Sequence, residues 1–198
     1  LAKIKIEMSS HHFVKEGQEP ALLIFDPIGL NEIEPLLEWA PLVVVAAPAL
    51  ERVLTWGIKI DAVVDKNVNT LKMVLAHQTP VRLIEMKQDY LTTSLEFLIE
   101  VKQFNVCVSC RQPESLIPLL ADFHSRMEIS LLSFNEKWSF IRSKKYSKWL
   151  MKNASLKIFA VRPVLLNGQP LSGNMISVNE DGKVELSADT PFWVVETV

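Results

Sequence analysis

The chain has 198 residues, a net charge of −2, 48% hydrophobic residues and 22% charged residues. That length suits one large domain or two small ones with a real apolar core, and the composition is ordinary for a globular protein. So balanced a charge excludes a field that would recruit nucleic acid or an acidic membrane, and neither is an expected partner.

The first residues hold one alternating run, KIKIEM, which predicts an edge strand. They contain no signal-peptide core, and Met8 opens a stretch, MSSHHFV, that reads like a chain start. From Pro20 onward apolar, β-branched runs recur: PALLIF (20–25), PLVVVAA (41–47), IDAVV (60–64), VRLIEM (81–86) and FNVCVS (104–109). Segments with helical spacing separate them. NEIEPLLEWA begins on Asn31 as a candidate N-cap, with Pro35 near its first turn. ALERVLTWG ends on Gly57, as helices often do. VNTLKMVLAHQ, YLTTSLEFLIEVKQ and PESLIPLLADFH complete the helical set. Strand–helix alternation with near-continuous apolar strands implies a parallel sheet buried on both faces, over roughly residues 18–126.

From Met127 the pattern changes to EISLLSF, WSFIRS, SLKIFAV, PVLL, MISV, KVELS and PFWVVETV. Turn signals separate these runs, and Asn167-Gly168 and Asp181-Gly182 favour tight hairpins. The expected fold is an α/β layer domain over residues 1–126 followed by a small antiparallel β-sandwich over 127–198. The cluster RSKKYSKW (142–149) reads as a solvated basic turn before it reads as a phosphate patch. The longest apolar run, residues 40–50, holds two prolines and is far short of the ~20 residues of a membrane span.

Ligands of an open parallel sheet gather at the carboxyl ends of its strands. Catalytic equipment is sparse there. None of the six glycines forms a phosphate-cradling motif. Asp26, Asp65 and Asp89 could meet around Mg²⁺, but turn and N-cap roles are the simpler reading for each. Cys107 and Cys110 lie in a strand-like run with no second Cys or His pair to complete a zinc site, and a reducing cytoplasm is expected. His77 and His124 fall at helix ends, where a cation meets the negative end of the dipole, and His11-His12 point to opposite sides of a strand.

The stretch LLEWAPLVVVAAPALERVLTWGIKIDAVV (36–64) resembles the second strand, following helix and approach to the acidic turn of the thiamine pyrophosphokinases. DYLTTSLEFLIE is similar to the helix after that family's third acidic site, and SVNEDGKVEL to its Ser-Asn segment near thiamine. The resemblance implies an α/β domain plus β-sandwich, ATP and Mg²⁺ as co-reactants of an active member, and a homodimer through the C-terminal β domain. It also implies ligand-binding positions at Asp26, Asp65, Lys66, Asn67, Asp89, Arg111, Ser177 and Asn179. The family's groups are replaced at these places. Its Asp-Gly after the second strand is Ala47-Pro48, and its Gly-Asp-x-Asp-Ser turn is Asp65-Lys66-Asn67-Val68-Asn69. Its Thr-Asp becomes Asp89-Tyr90, and its Arg-x-Asp-His segment shrinks to SCRQPES (109–115). Lysine and valine cannot coordinate Mg²⁺ as carboxylates do. The expectation is therefore a degenerate member with no catalytic or metal-binding residues, kept as a small-molecule binding or regulatory protein for a thiamine-like or nucleotide ligand. Two alternatives stay open: a working kinase with Asp26, Asp65 and Asp89 rearranged around Mg²⁺, and a ligand-free structural dimer.

Overall fold

A computed structural model describes residues 19–39, 41–75, 77 and 80–197. The KIKIEM run and the pair His11-His12 lie outside the described residues.

Six strands, β1 (Ala21–Ile24), β2 (Val43–Ala46), β3 (Ala62–Asp65), β4 (Arg82–Glu85), β5 (Asn105–Ser109) and β6 (Glu128–Ser133), pair in parallel in the order β4-β3-β2-β1-β5-β6. Their runs are near-continuously apolar because both faces are covered. In β1, Ala21 and Leu23 join one core while Leu22 and Ile24 join the other. Helices α4 (Tyr90–Glu100) and α5 (Pro113–Leu120) cover the first face through Leu91, Leu95, Leu98, Leu116 and Leu120. Helices α1 (Leu30–Leu37), α2 (Ala47–Leu54) and α3 (Val68–Val74) cover the second through Ile33, Leu50, Val53 and Leu71.

Several local readings change. The N-cap of α1 is Gly29, not Asn31, and Pro35 lies inside the helix, which ends two residues later. Helix α2 starts at Ala47, directly on the last residue of β2. Pro48 in its first turn has the preset φ that lets a helix begin without a loop. Gly57 does take the left-handed conformation, φ 66°, beyond that helix.

The antiparallel half comprises β7 (Glu136–Ile141), β8 (Lys145–Leu150), β9 (Ser155–Phe159), β10 (Val164–Leu166), β11 (Gln169–Pro170), β12 (Met175–Ser177), β13 (Gly182–Ala188) and β14 (Phe192–Thr197). Strands β7, β14, β9 and β12 extend the parallel sheet to ten strands beyond β6. A second sheet, β11-β10-β13-β8, packs on that extension through Leu150, Ile158, Val164, Leu186, Phe192 and Val194. Pairing changes from parallel to antiparallel between β6 and β7, so the EISLLSF run is the last parallel strand.

Two turn readings differ as well. The basic cluster is not a turn throughout: residues 145–150 form β8, in register with β13. Its alternation half-buries Tyr146 and buries Leu150, while Lys148 stretches to Glu196 at the surface. Asn167-Gly168 closes a hairpin with both residues left-handed, φ 48° and 81°, as a type I′ turn requires. Asp181-Gly182 closes no hairpin, because β12 and β13 belong to different sheets. The Asp181 carboxylate instead accepts a hydrogen bond from the Lys152 backbone N–H at 2.7 Å.

Candidate functional site

The connections of the parallel sheet reverse between β1 and β5. From β1 the chain moves outward through β2 and β3 to β4, and from β5 it moves the other way to β6. A crevice at the carboxyl ends of two such strands is where ligands of open α/β sheets bind. Asp26, Pro27, Ser109, Cys110 and Arg111 stand at this switch point.

Internal hydrogen bonds close the crevice. The Asp26 carboxylate accepts from the Arg111 backbone N–H at 3.1 Å, and the Arg111 guanidinium donates to the Pro27 carbonyl at 3.3 Å. Below them the Ser109 hydroxyl donates to the Asp26 carbonyl at 2.8 Å. The Ser133 hydroxyl donates to the Arg111 carbonyl at 3.3 Å. Asp26 and Arg111 are thus brought together, but each is engaged by the protein. Ser109 and Ser133 are both buried, and of the two only Ser133 was missed from sequence. A serine ending an apolar strand run was its only signal.

The other rim residues have local tasks. Asp65 accepts from the Lys66 backbone N–H at 2.7 Å. Tyr90 lies against it, and burial first, then the Asp65 charge, push the phenol pKa up. Asn67 caps α3 by accepting from the Asn69 N–H at 3.3 Å. Asp89 caps α4 by accepting from the Thr92 N–H at 2.8 Å. The Lys66 and Arg111 residues are exposed.

Strand β3 lies two strands from β1, on the order of 10 Å at the spacing of a sheet. Among the described residues no group of three or more His, Cys, Asp or Glu converges. Ser177 ends β12, six strands from β1, roughly 30 Å at the same spacing. Ser177 and Asn179, both exposed, cannot meet Asp26 or Asp65 within one chain.

If Asp89 is a cap rather than a metal ligand, Asp89→Ala should lower stability by about 1 kcal/mol while Asp89→Asn leaves it nearly unchanged. Urea denaturation of the two variants reads this, and equal losses would remove the capping role.

The cysteines do no chemistry together. Cys107 faces the side of α1–α3 and Cys110 the side of α4–α5, and both are buried free thiols. Burial raises both pKa values, that of Cys110 to about 12, so neither supplies a thiolate near neutrality.

His77 is exposed beyond the end of α3. His124 is not a helix-end cation: it is buried past α5, stacked on Phe140 at 3.7 Å and edge-on to Trp193 at 5.3 Å. Burial, and then the nearby Arg142 charge, lower its pKa to about 4.

No protein-family model and no curated relative matches the sequence. Solved structures do match over most of the chain. Thiamine pyrophosphokinase from Bacillus subtilis is similar with a TM-score of 0.62 at 11% identity, covering 90% of this chain and 99% of that one. Thiamin pyrophosphokinase from Candida albicans gives 0.63 at 10% identity, covering 91% and 89%. A probable thiamine pyrophosphokinase from Staphylococcus saprophyticus gives 0.63 at 14%, covering 90% and 97%. At such identities the likeness establishes the fold, an α/β domain joined to a β-sandwich.

Proposed function

We propose that this chain, which has the fold of the thiamine pyrophosphokinases, is a catalytically degenerate form that serves as a small-molecule binding or regulatory protein. One observation carries the reading: the switch-point crevice, the natural nucleotide position in such a sheet, is laced by the Asp26–Arg111–Pro27 hydrogen bonds. Pyrophosphoryl transfer needs Mg²⁺ and positioned cations around the phosphate oxygens. Mg²⁺ takes carboxylate oxygens in a near-ideal octahedron. Here Asp65 and Asp89 are engaged by the backbone N–H groups of Lys66 and Thr92, and they stand on separate loops.

Incubation with ATP, Mg²⁺ and thiamine should release no AMP above the rate of a protein-free control. Steady AMP release that Asp65→Asn abolishes would overturn this and favour a working kinase with rearranged acids. Sedimentation velocity on the same preparation tests the accompanying expectation of a homodimer through the C-terminal β domain. That expectation comes from the resemblance of the C-terminal β domain to that of the thiamine pyrophosphokinases. A monomer at micromolar concentration would remove it. The two buried free cysteines suit a reducing cytoplasm. Among the described residues no helix is long and apolar enough to cross a membrane.

A further inference from the structure

The face of the main sheet that carries α1–α3 is covered by two separate layers. Helix α1 lies over β1 through Ile33, and the second sheet lies over β14, β9 and β12. Strands β5, β6 and β7 run between these layers and leave a groove of about 570 Å³, a volume that fits one small organic molecule.

Its lining is mostly apolar and carries two charged groups, Lys137 and Glu32. Cys107 and Ser130, in register across β5 and β6, form the floor with Leu132, and Leu36 of α1 forms a wall. Phe134 stands at the mouth. It is 50% exposed and holds φ at 49°, a left-handed conformation that is costly for a bulky residue. The β6–β7 turn thus keeps an aromatic ring beside the groove at the expense of backbone strain.

Lys137, in register with Leu132 on β7, also lines the groove and is exposed. It belongs to none of the ion pairs among the described residues. The acid on the opposite wall, Glu32, forms no ion pair with it among the described residues. Its carboxylate folds back over Gly29 at the start of α1, where a helix favours negative charge.

We infer that this groove is a binding site for a small planar aromatic anion, a carboxylate or sulfonate. Its ring lies on Leu36, Leu132 and Phe134 and its charge meets Lys137. The site is on the face of the sheet, and its lining includes none of Asp26, Asp65 and Asp89.

Fluorescence titration of the full chain with anilinonaphthalene sulfonate tests the inference. A single saturable site is expected, weakened about tenfold or more by Lys137→Glu, which removes a charge-assisted contact from an exposed position. Leu36→Arg should abolish binding, and a neutral naphthalene alcohol should compete far less well than naphthoate. Circular dichroism of each variant reports that it is folded. Failure of the native chain to bind saturably, or equal affinity of Lys137→Glu, overturns the site. A dimer that Phe134→Asp dissociates would give the groove to a second copy instead. Backbone amides before Glu19 that lose protection when dye binds would give it to the chain's own leading residues. Either result overturns the inference, while the reading of the rim stands or falls on AMP release alone.

Discussion

Replacing Trp138 by alanine is expected to cost about 3–5 kcal/mol of stability, the range for truncating a fully buried aromatic side chain. Trp138 is 0% exposed and lies on β7, the first antiparallel strand after the parallel set. It stands opposite Leu131 of β6 and Val195 of β14, so its side chain belongs to the row joining the α/β half to the sandwich. The ring packs on Phe159 at 4.7 Å, and Lys157 Nζ lies 5.6 Å from its centroid. The indole N–H donates to Glu136 at 3.1 Å, so truncation removes a hydrogen bond as well as an aromatic volume. Trp138→Phe should lose much less, because it keeps a ring against Phe159 and gives up only part of the volume. Urea denaturation measures both variants, and a loss below about 1 kcal/mol for alanine would mean that the site collapses around the gap.

How much of this was legible in the sequence depends on whether a residue's partners are near it in the chain. Strands β1, β2, β3 and β5 were legible because burial on both faces writes itself as an unbroken apolar run. The α4 helix was legible from its i, i+3, i+4 spacing. Strand β8 was obscured by its lysines, whose stems cover apolar surface while their charges stay in water. Strand β6 was read with the antiparallel half because no helix follows it, although the α5 crossover makes it the parallel neighbour of β5. The same limit applies at the rim. An aspartate after a strand is visible in the sequence, but the direction of its carboxylate is not. Asp26 turned toward the Arg111 N–H, a partner 85 residues away. Asp89 turned toward its own helix, which the spacing to Thr92 allowed one to anticipate. His124 shows the cost of local reading most clearly. Its helix-end position suggested a stabilised cation, and the strands that bring Phe140 and Trp193 against it reverse that.

That reversal gives a pH dependence with a definite sign. The buried ring has its pKa lowered from 6.5 to about 4, chiefly by desolvation and then by Arg142. Arg142 is itself held by the Met127 carbonyl at 3.0 Å and by Glu128 at 3.3 Å, so it cannot easily swing away when the ring is protonated. Between these two pKa values the unfolded chain binds a proton that the folded chain refuses, so stability rises with pH across that window. The contribution is fully present above about pH 6.5 and is lost as the pH falls toward 4, to a total of about 3 kcal/mol. Carboxylates titrate in part of the same range, so the informative measurement is a difference. His124→Phe keeps an aromatic ring between Phe140 and Trp193 and removes the Nδ1 atom, which is buried without a hydrogen-bond partner among the described residues. The variant should match the wild type or exceed it slightly at pH 7, because an unsatisfied buried polar atom is lost. Toward pH 4 its advantage should grow to about 3 kcal/mol in urea denaturation. Parallel stability–pH curves for the two proteins would show that the imidazole accepts its proton inside the fold, and that the aromatic cluster opens to water around it.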